Sequence, residues 1–342
     1  QAAKTFVNKF INNEDFSETP GLVKKIGHKK YIIKDPTKIH FMDVLPRPAR
    51  HLVPMEKYFD IGAFHSSKSK SNRVLNVMCS RGCPEKCTFC TTPAMWGQLT
   101  RWRSIPHIMD EIKNAVRDYN IGEIQFDDDT LTVNKKMLFA LCKELEQIGV
   151  PWCTPNGTKV NYHLREQYDM YKAMYDSGCY QLTLACESGV QRVLDDIVKK
   201  NLPLETIKPA IEKAKRAGLL VHTFWILGYP GETFKEMQET IDFAMSSGAD
   251  SFTFSVLTPL SGTPIYRKVL KENLWWEGRE NQNTFRSSLI KVDGFDSAEE
   301  FEKFVNDTNI KANMLLQKND PVRFEYKYGK RANKEETFVK QT

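Results

Sequence analysis

The sequence predicts an α/β fold in which a parallel sheet of about six strands, covered by helices, forms a full or partial barrel or a doubly wound sheet. From residue 71 onward, short apolar runs alternate with longer amphipathic stretches, which is typical of repeated strand-then-helix units. Connections between parallel strands are right-handed almost without exception, which restricts such a chain to these architectures. Cysteines, carboxylates and glycine-rich turns directly follow the predicted strands, and ligands in both architectures bind beyond those strand ends.

The predicted elements are defined by apolar periodicity and by residues that start or stop a helix. The apolar residues of stretch 135–148 fall on one helix face, with Asn134 before it and Gly149 after it. Thr233 and Glu236 have the spacing of a capping box, so a helix should begin there. The predicted strands are 74–78, 123–126, a weak strand near residue 152, 180–186, 219–227 and 251–257, and the predicted helices are 105–119, 135–148, 164–177, 203–217, one from 233 to about 248, and 297–316.

The two ends of the chain do not follow this alternation. Residues 1–70 are rich in lysine, proline and isolated aromatic residues, and we interpret them as a linker with wrapping segments. The run 65–73 (HSSKSKSNR), which begins inside this region and ends just after it, is predicted to be a solvated basic loop. Residues 71–262 form the predicted barrel, and residues 263–342 form a C-terminal extension that contains helix 297–316 and a disordered tail.

Composition and charge fit an ordinary globular protein. Of the 342 residues, 41% are apolar and 27% are charged, and the formal net charge of +6 suits anionic small ligands as well as nucleic acid. No apolar run reaches the roughly 20 residues that are needed to span a bilayer. Four of the eight cysteines lie close together in the segment 79–90, which favours a metal site in a reducing, cytoplasmic compartment over a disulfide framework.

The densest chemical signal is the segment 80–90 (SRGCPEKCTFC), which comes directly after the first predicted strand. Cys83, Cys87 and Cys90 follow the spacing C-x3-C-x2-C, and three thiolates on one loop can bind three corners of an iron–sulfur cubane. Most such clusters take four thiolates, so a set of three leaves one iron open for the amine and carboxylate of a substrate. The alternatives are a zinc site, which prefers two C-x2-C pairs or a nearby histidine, and a ferredoxin-type carrier with Cys79 as the fourth ligand.

This spacing resembles the hallmark of the radical SAM superfamily, as do Pro84 after the first cysteine and the aromatic Phe89 before the last. The resemblance implies a partial (βα)6 radical SAM barrel, similar to a TIM barrel, with a [4Fe–4S] cluster held by Cys83, Cys87 and Cys90. It also implies S-adenosylmethionine (SAM) as a cofactor, bound at the open iron. One electron would then break a sulfur–carbon bond of SAM, and the resulting 5′-deoxyadenosyl radical would abstract hydrogen from an unactivated carbon.

Further segments resemble the family at the ends of successive predicted strands, and they supply candidate cofactor contacts besides Phe89. Asp128 in FDDDTLT is the candidate partner of the SAM ammonium, and Glu187 in ACESG is the candidate partner of its ribose diol. Gly228 and Pro230 in ILGYPGET are candidates for the approach to adenine. Each segment also has a plainer interpretation: a helix-capping acidic turn, a surface turn and a simple turn before a helix, respectively.

Two more segments match family patterns with one change each. PNGTK has Lys159 in place of an arginine, and TPLSGTPIY has Ser261 in place of a proline.

The N-terminal region narrows the resemblance to one branch of the family. Residues 19–59 look like the linker that joins a cobalamin-binding domain to a radical SAM barrel. Because the chain begins with Gln1, we hypothesise a longer protein in which a cobalamin domain precedes this linker, with the cobalamin site outside these residues.

The predicted function is therefore that of an anaerobic radical SAM enzyme, in which cobalamin-dependent methyl transfer or rearrangement follows hydrogen abstraction. We expect a small-molecule substrate and a one-electron donor of the flavodoxin or ferredoxin type, whereas nucleic acid and membranes are not expected partners. No catalytic residue is predicted beyond the cluster ligands. The alternatives are a cobalamin-free radical SAM enzyme resembling methylthiotransferases, and a non-catalytic iron–sulfur or zinc-binding module.

Overall fold

The computed structural model describes residues 2–28, 31–34, 38–62, 65–66, 69–165, 169–280 and 287–319. The chain forms two compact units, residues 1–44 and residues 45–342. The first unit contains one helix, an antiparallel strand pair and a short 3-10 helix. These elements are Ala2–Ile11, Val23–Lys25 with Tyr31–Ile33, and Met42–Val44.

The second unit is built around a six-stranded parallel sheet. Its strands are β1 (Val74–Val77), β2 (Glu123–Phe126), β3 (Trp152–Lys159), β4 (Cys179–Glu187), β5 (Leu220–Leu227) and β6 (Ser251–Val256). The strands lie side by side in chain order, with β1 and β6 at the two edges. Because every right-handed crossover then runs in the same direction, the helices collect on one face and the sheet curls. The prediction of a partial (βα)6 barrel is confirmed.

A helix follows each strand, and shorter elements fill the connections. The main helices are α1 (Ile105–Tyr119), α2 (Lys135–Ile148), α3 (Met170–Asp176), α4 (Ile207–Arg216), α5 (Phe234–Met245), α6 (Pro264–Glu272) and α7 (Ala298–Asn319). The short helices are Arg50–Leu52, Met55–Ile61, Thr92–Met95, Leu131–Val133, Val160–Arg165, a π-helix at Val193–Val198, and Leu204–Thr206. No helix in the described ranges is long and apolar enough to cross a membrane.

Local capping explains why several helices begin where the sequence predicts. The side chain of Ser104 accepts a hydrogen bond from His107 N at 3.3 Å, at the start of α1. Asn134 Oδ1 accepts one from Met137 N at 3.2 Å, at the start of α2. These side chains satisfy backbone N–H groups that have no partner inside the helix. The capping box predicted at the start of α5 is also present.

The helix predicted over 164–177 is wrong at its start. The structure has a 3-10 helix at Val160–Arg165, and α3 begins only at Met170; the intervening residues 166–168 lie outside the described residues. Asp169 caps α3, because its Oδ1 accepts a hydrogen bond from Lys172 N at 3.1 Å. The sequence pattern did not separate a 3-10 turn from the first turn of an α-helix, since both bring similar spacings to one face.

The prediction that the run 65–73 is a solvated loop is wrong for part of the run. Ser66 is buried, and its N–H donates to Gln125 Oε1 at 3.1 Å. The N–H of Ser71 donates to Glu123 Oε2 at 3.2 Å, and both acceptors are buried on β2. A polar, lysine-rich sequence therefore supplies backbone donors to a buried carboxylate and amide, which need such partners.

The C-terminal helix α7 covers the free edge of β6. Asn309 on α7 accepts a hydrogen bond from Phe254 N at 3.0 Å and donates one to Phe254 O at 2.8 Å. These two bonds satisfy the backbone of Phe254 on the edge strand, and covering an edge with a helix is one way in which proteins protect it from other strands. The helix predicted over 297–316 is thus present with slightly different bounds, whereas the predicted tail, 320–342, lies outside the described residues.

Candidate functional site

The three cysteines of the C-x3-C-x2-C motif lie in a loop beyond the C-terminal end of β1. A two-residue ladder between Ser80–Arg81 and Arg101–Trp102 closes the base of this loop. Cys83, Cys87 and Cys90 all line one cavity of about 420 Å³. The cavity opens at the strand ends, which is where ligands bind in sheets of this kind.

Gly82 is required by the geometry at the start of this cysteine loop. Its φ of 98° lies in the left-handed region, and a Cβ at this position would stand 2.5 Å from the carbonyl oxygen of Leu99. Its N–H donates to Asp129 Oδ2 at 3.1 Å. Glycine alone combines this backbone conformation with so close an approach, so the turn before Cys83 depends on it.

The far side of the cysteine loop is anchored through Thr88, which lies between Cys87 and Cys90. Thr88 N donates to Val198 O at 3.0 Å, and its Oγ1 donates to Ile197 O at 2.6 Å. Both acceptors belong to the π-helix that follows β4. Thr88 O in turn accepts from Ile265 N at 3.1 Å, in the first turn of α6. The loop is therefore tied to elements more than 100 residues away in the sequence.

Burial shapes the chemistry of the thiols. It raises the pKa of Cys83 to about 11 and that of Cys87 to about 12. Such thiols are neutral at pH 7, and binding to cationic metal atoms is the change that makes them thiolates. Among the described residues, no three histidine, cysteine or carboxylate side chains converge on one ion. In a [4Fe–4S] cubane each thiolate binds a different iron atom, so the three sulfur atoms do not have to surround one ion.

A buried ion pair lines the cavity at the end of β4. Glu187 has φ 68°, in the left-handed region, and follows a register shift between β4 and β5. Lys200 Nζ donates to Glu187 Oε1 at 2.7 Å, and both residues are buried. Strained backbone and buried charges both need strong support from their surroundings and are common at functional sites.

A second ion pair joins the cysteine loop to β3. Lys159 Nζ lies 2.7 Å from Glu85 Oε2, and Glu85 sits between Cys83 and Cys87 in the loop. Tyr162 Oη donates to Glu85 Oε1 at 2.9 Å, and the Lys159 ammonium lies 5.5 Å from the centre of the Tyr162 ring. Each oxygen of Glu85 therefore has one partner from the segment around the end of β3.

The remaining wall combines an acidic strand end with apolar side chains. Asp129 and Thr130, just after β2, line the cavity. Thr130 Oγ1 is buried and has no hydrogen-bond partner among the described residues. The apolar part of the wall comes from the cysteine loop, from β5 and from the turn after β6. Its members include Phe89, Phe224, Ile226, Leu257 and Leu260.

Comparison with known proteins identifies the family. The model of the radical SAM superfamily matches residues 77–244. This is the segment that carries the cysteine loop and most of the sheet. The chain carries a radical SAM domain.

Curated relatives of this radical SAM domain include methyltransferases. Cytidylyl-2-hydroxyethylphosphonate methyltransferase of Streptomyces wedmorensis is 36% identical over 280 residues, which cover 78% of this chain and 52% of the relative. An uncharacterized methyltransferase of Pyrococcus horikoshii is 31% identical over 259 residues, covering 76% of this chain and 54% of the relative. The chain spans about half the length of these curated relatives.

Two solved structures share the fold of the radical SAM domain. TsrM from Kitasatospora setae, a radical SAM methyltransferase with cobalamin and a [4Fe–4S] cluster bound, aligns with a TM-score of 0.63 at 14% identity and covers 79% of this chain and 52% of TsrM. OxsB, a cobalamin-dependent radical enzyme with aqua-cobalamin and SAM bound, aligns with a TM-score of 0.68 at 13% identity and covers 89% of this chain and 48% of OxsB. At these identities the likeness establishes the fold.

The adjacent side chains of Asp128 and Asp129 at the end of β2 have different surroundings in the structure. Asp128 is buried outside the cavity wall and accepts hydrogen bonds from Cys79 N at 2.9 Å and from Ser80 N and Oγ. Burial raises the pKa of Asp128 to about 6, although these hydrogen bonds oppose the rise. Asp129, and not Asp128, is the neighbour that reaches the cavity. Cys79 lies in the hydrophobic core, also away from the cavity wall.

Gly228 and Pro230 shape a turn of the radical SAM domain, and neither lines the cavity. Gly228 has φ 84°, and a Cβ there would stand 2.8 Å from the Phe301 ring. Glu232 Oε2 closes the turn by accepting from Gly228 N at 2.8 Å and from Tyr229 N at 3.0 Å. The predicted residues that do line the cavity are Phe89, Glu187 and the three motif cysteines.

Sequence reasoning missed Lys200, Glu85 and Thr130 in the cavity wall. Lys200 lies in a polar stretch after the π-helix, and no spacing links it to Glu187. Glu85 lies inside the cysteine motif, but the motif does not indicate which residue pairs with it. Lys159 stands where the family pattern has an arginine, and this basic character is the only sign in the sequence that a charged residue is needed there.

Proposed function

We propose that Cys83, Cys87 and Cys90 hold a [4Fe–4S] cluster and that SAM binds in the adjoining cavity, at the iron left without a thiolate. The observation that carries the proposal is the arrangement of three thiols from one loop around one cavity, beyond the ends of parallel strands. Bound there, the cluster would supply the electron that cleaves SAM to the 5′-deoxyadenosyl radical. The chain itself binds and orients SAM and excludes water.

The cavity wall suggests which residues contact SAM. Asp129 has the charge to bind the methionine ammonium, and the unpartnered hydroxyl of Thr130 lies next to it in sequence. We therefore propose Asp129 for the role predicted for Asp128, which holds backbone N–H groups instead. Glu187 remains the candidate for the ribose diol, and Phe89 for apolar contact with the cofactor.

Gly228 and Pro230 are proposed to act through the shape of their turn. Their backbone positions fix the end of β5, from which Phe224 and Ile226 reach the cavity. Burial of Glu232 under this turn, with two backbone N–H groups bound to it, keeps the turn in one conformation. An adenine ring would then contact the side chains of β5 rather than the glycine itself.

For the whole protein we propose cobalamin-dependent methyl transfer to a small-molecule substrate, with electrons from a flavodoxin- or ferredoxin-type carrier. The support is the shared character of the relatives: the two sequence relatives are named methyltransferases, and TsrM and OxsB are described with cobalamin bound. A phosphonate is the methylated compound class in the name of the first relative.

Anaerobic reconstitution with iron and sulfide tests the cluster. The wild-type chain should take up about four irons and four sulfides, and with SAM and dithionite it should form 5′-deoxyadenosine. Cys87→Ala should lose both properties. Cys142→Ala is the matched control, because Cys142 is also a buried free thiol but does not line the cavity. Binding of one zinc without any cleavage of SAM would refute the proposal.

Isotope transfer tests the reaction class separately. Full-length protein loaded with cobalamin, given SAM with a deuterated methyl group, should transfer that methyl group to product. Formation of 5′-deoxyadenosine without any labelled product from candidate phosphonates or other small molecules would count against methyl transfer and leave the cluster assignment standing.

A further inference from the structure

Lys200 and Cys87 line the same cavity. Thr88, which directly follows Cys87, donates its N–H to Val198 O at 3.0 Å, two residues before Lys200. The buried ammonium of Lys200 donates to Glu187 Oε1 at 2.7 Å, and Glu187 also lines the cavity. The charge of Lys200 therefore lies in the same wall as a proposed cluster ligand.

The backbone around Lys200 is fixed by an unusual local structure. The π-helix Val193–Val198 ends with Lys199 at φ 57°, and Asn201 follows at φ 52°, both in the left-handed region. Lys200 N donates to Leu194 O at 3.1 Å. For a lysine this conformation costs about 1–3 kcal/mol and persists only where the surrounding structure enforces it, whereas asparagine adopts it readily. π-Helical turns are also frequent at functional sites.

The same π-helix supports the cysteine loop. Its last two carbonyls, of Ile197 and Val198, accept the hydrogen bonds of Thr88. Glu187 then binds the ammonium of Lys200 from the end of β4. The lysine and the loop thus share one support: main-chain hydrogen bonds hold the backbone of Lys200, and the side chain of Glu187 holds its ammonium.

We propose that the buried ammonium of Lys200 raises the reduction potential of the cluster through its positive charge, an inference that rests on the proposed function. A cubane core held by three thiolates is already anionic, and reduction adds one more negative charge. A buried cation stabilises the more negative state more strongly, because Coulomb interactions are strong where water is excluded. Glu187 keeps Lys200 in place, and its own charge offsets part of this effect.

Potentiometric titration of the reconstituted chain without SAM, followed by the EPR signal of the reduced cluster, tests the role of charge. At the wild-type midpoint potential, Lys200→Met should lower the ratio of reduced to oxidised cluster about tenfold, which equals about 59 mV for a one-electron couple. Lys200→Arg should stay near wild type. Glu187→Gln should raise the ratio, and the double variant should return close to wild type.

Lys208→Met is the control for loss of one positive charge, because Lys208 is exposed on α4 and lies outside the cavity wall. Its midpoint potential should equal that of wild type. A midpoint unchanged in Lys200→Met, or shifted equally in Lys200→Arg, would overturn the inference. If the Lys200→Met variant takes up no iron, the Glu187→Gln variant provides the test. An unshifted midpoint potential in Glu187→Gln would then overturn the inference. Failure of the wild-type chain to assemble any cluster would instead refute the proposed function.

Discussion

The ion pair between Lys159 and Glu85 offers a quantitative test of how the cysteine loop is held. Lys159 has a side chain only 7% exposed, whereas that of Glu85 is 18% exposed. Removing one partner of a buried pair costs about 3–5 kcal/mol, because the other charge stays buried without compensation. In Lys159→Met, Glu85 keeps its hydrogen bond from Tyr162 and some contact with water. We therefore expect a loss of about 2–3 kcal/mol in the free energy of unfolding.

The double variant Lys159→Met with Glu85→Gln should behave differently. It removes both charges, and the amide oxygen introduced at position 85 can still accept the Tyr162 hydrogen bond. Its loss should be about 1 kcal/mol or less, since paired buried charges replaced together cost little. The expected coupling energy in the double-mutant cycle is then at least about 1 kcal/mol.

Urea unfolding of the metal-free chain, followed by circular dichroism under anaerobic and reducing conditions, gives these free energies. The single variant Glu85→Gln completes the cycle. A second measurement connects stability to the loop: in the reconstituted Lys159→Met variant, a chelator should remove iron faster than from wild type. A loss below about 0.5 kcal/mol in Lys159→Met, or additive losses in the double variant, would refute the argument.

Three further predictions concern other positions. Gly82→Ala should destabilise the chain by about 2–4 kcal/mol and reduce iron uptake, because its Cβ would strike a carbonyl oxygen at 2.5 Å; Gly149→Ala, also at positive φ but in open space, should cost about 1 kcal/mol in the same urea assay. Thr130→Val should weaken SAM binding about 5–10-fold in calorimetry without loss of stability, since its hydroxyl has no protein partner among the described residues; Thr132→Val, equally buried but outside the cavity wall, should leave SAM affinity unchanged. Burial raises the pKa of Glu232 from 4.5 to about 7. The folded chain therefore binds this proton more tightly than the unfolded chain, and stability should fall by up to about 3 kcal/mol as pH rises from about 4.5 through 7. Glu232→Gln should flatten that dependence in urea titrations at pH 5 and pH 8.

Features encoded by neighbouring residues could be predicted from the sequence. The bounds of α1 and α2 follow from the caps Ser104 and Asn134, whose partners lie three residues away. The cysteine spacing is equally local, and it indicated the family before any tertiary information. The crossover rule alone did not give the order of the strands, because it also allows a doubly wound sheet; the resemblance to radical SAM barrels selected the barrel.

Features that depend on distant partners could not be predicted. The hydrogen bond from Thr88 to Ile197 joins residues 109 positions apart. Lys200 has no periodicity or motif that links it to Glu187. The backbone donors of the run 65–73 could not be assigned to buried groups, because polar composition alone does not show which N–H groups are enclosed.

Three successive aspartates, Asp127, Asp128 and Asp129, follow β2, and their surroundings in the structure differ. Successive residues of an extended chain point to opposite sides, so the sequence could not decide which aspartate faces a ligand. Asp127 contacts His65 and Asn76, and Asp128 holds the backbone beyond β1.

Asp129 alone among the three lines the cavity, and it also binds residues that flank the cysteine loop on both sides. Its Oδ2 accepts from Gly82 N at 3.1 Å, and its Oδ1 accepts from Thr92 Oγ1 at 3.0 Å. The same side chain therefore holds residues on both sides of the cysteine loop and also lines the cavity, so we expect a ligand bound at Asp129, as proposed above, to affect the geometry of that loop.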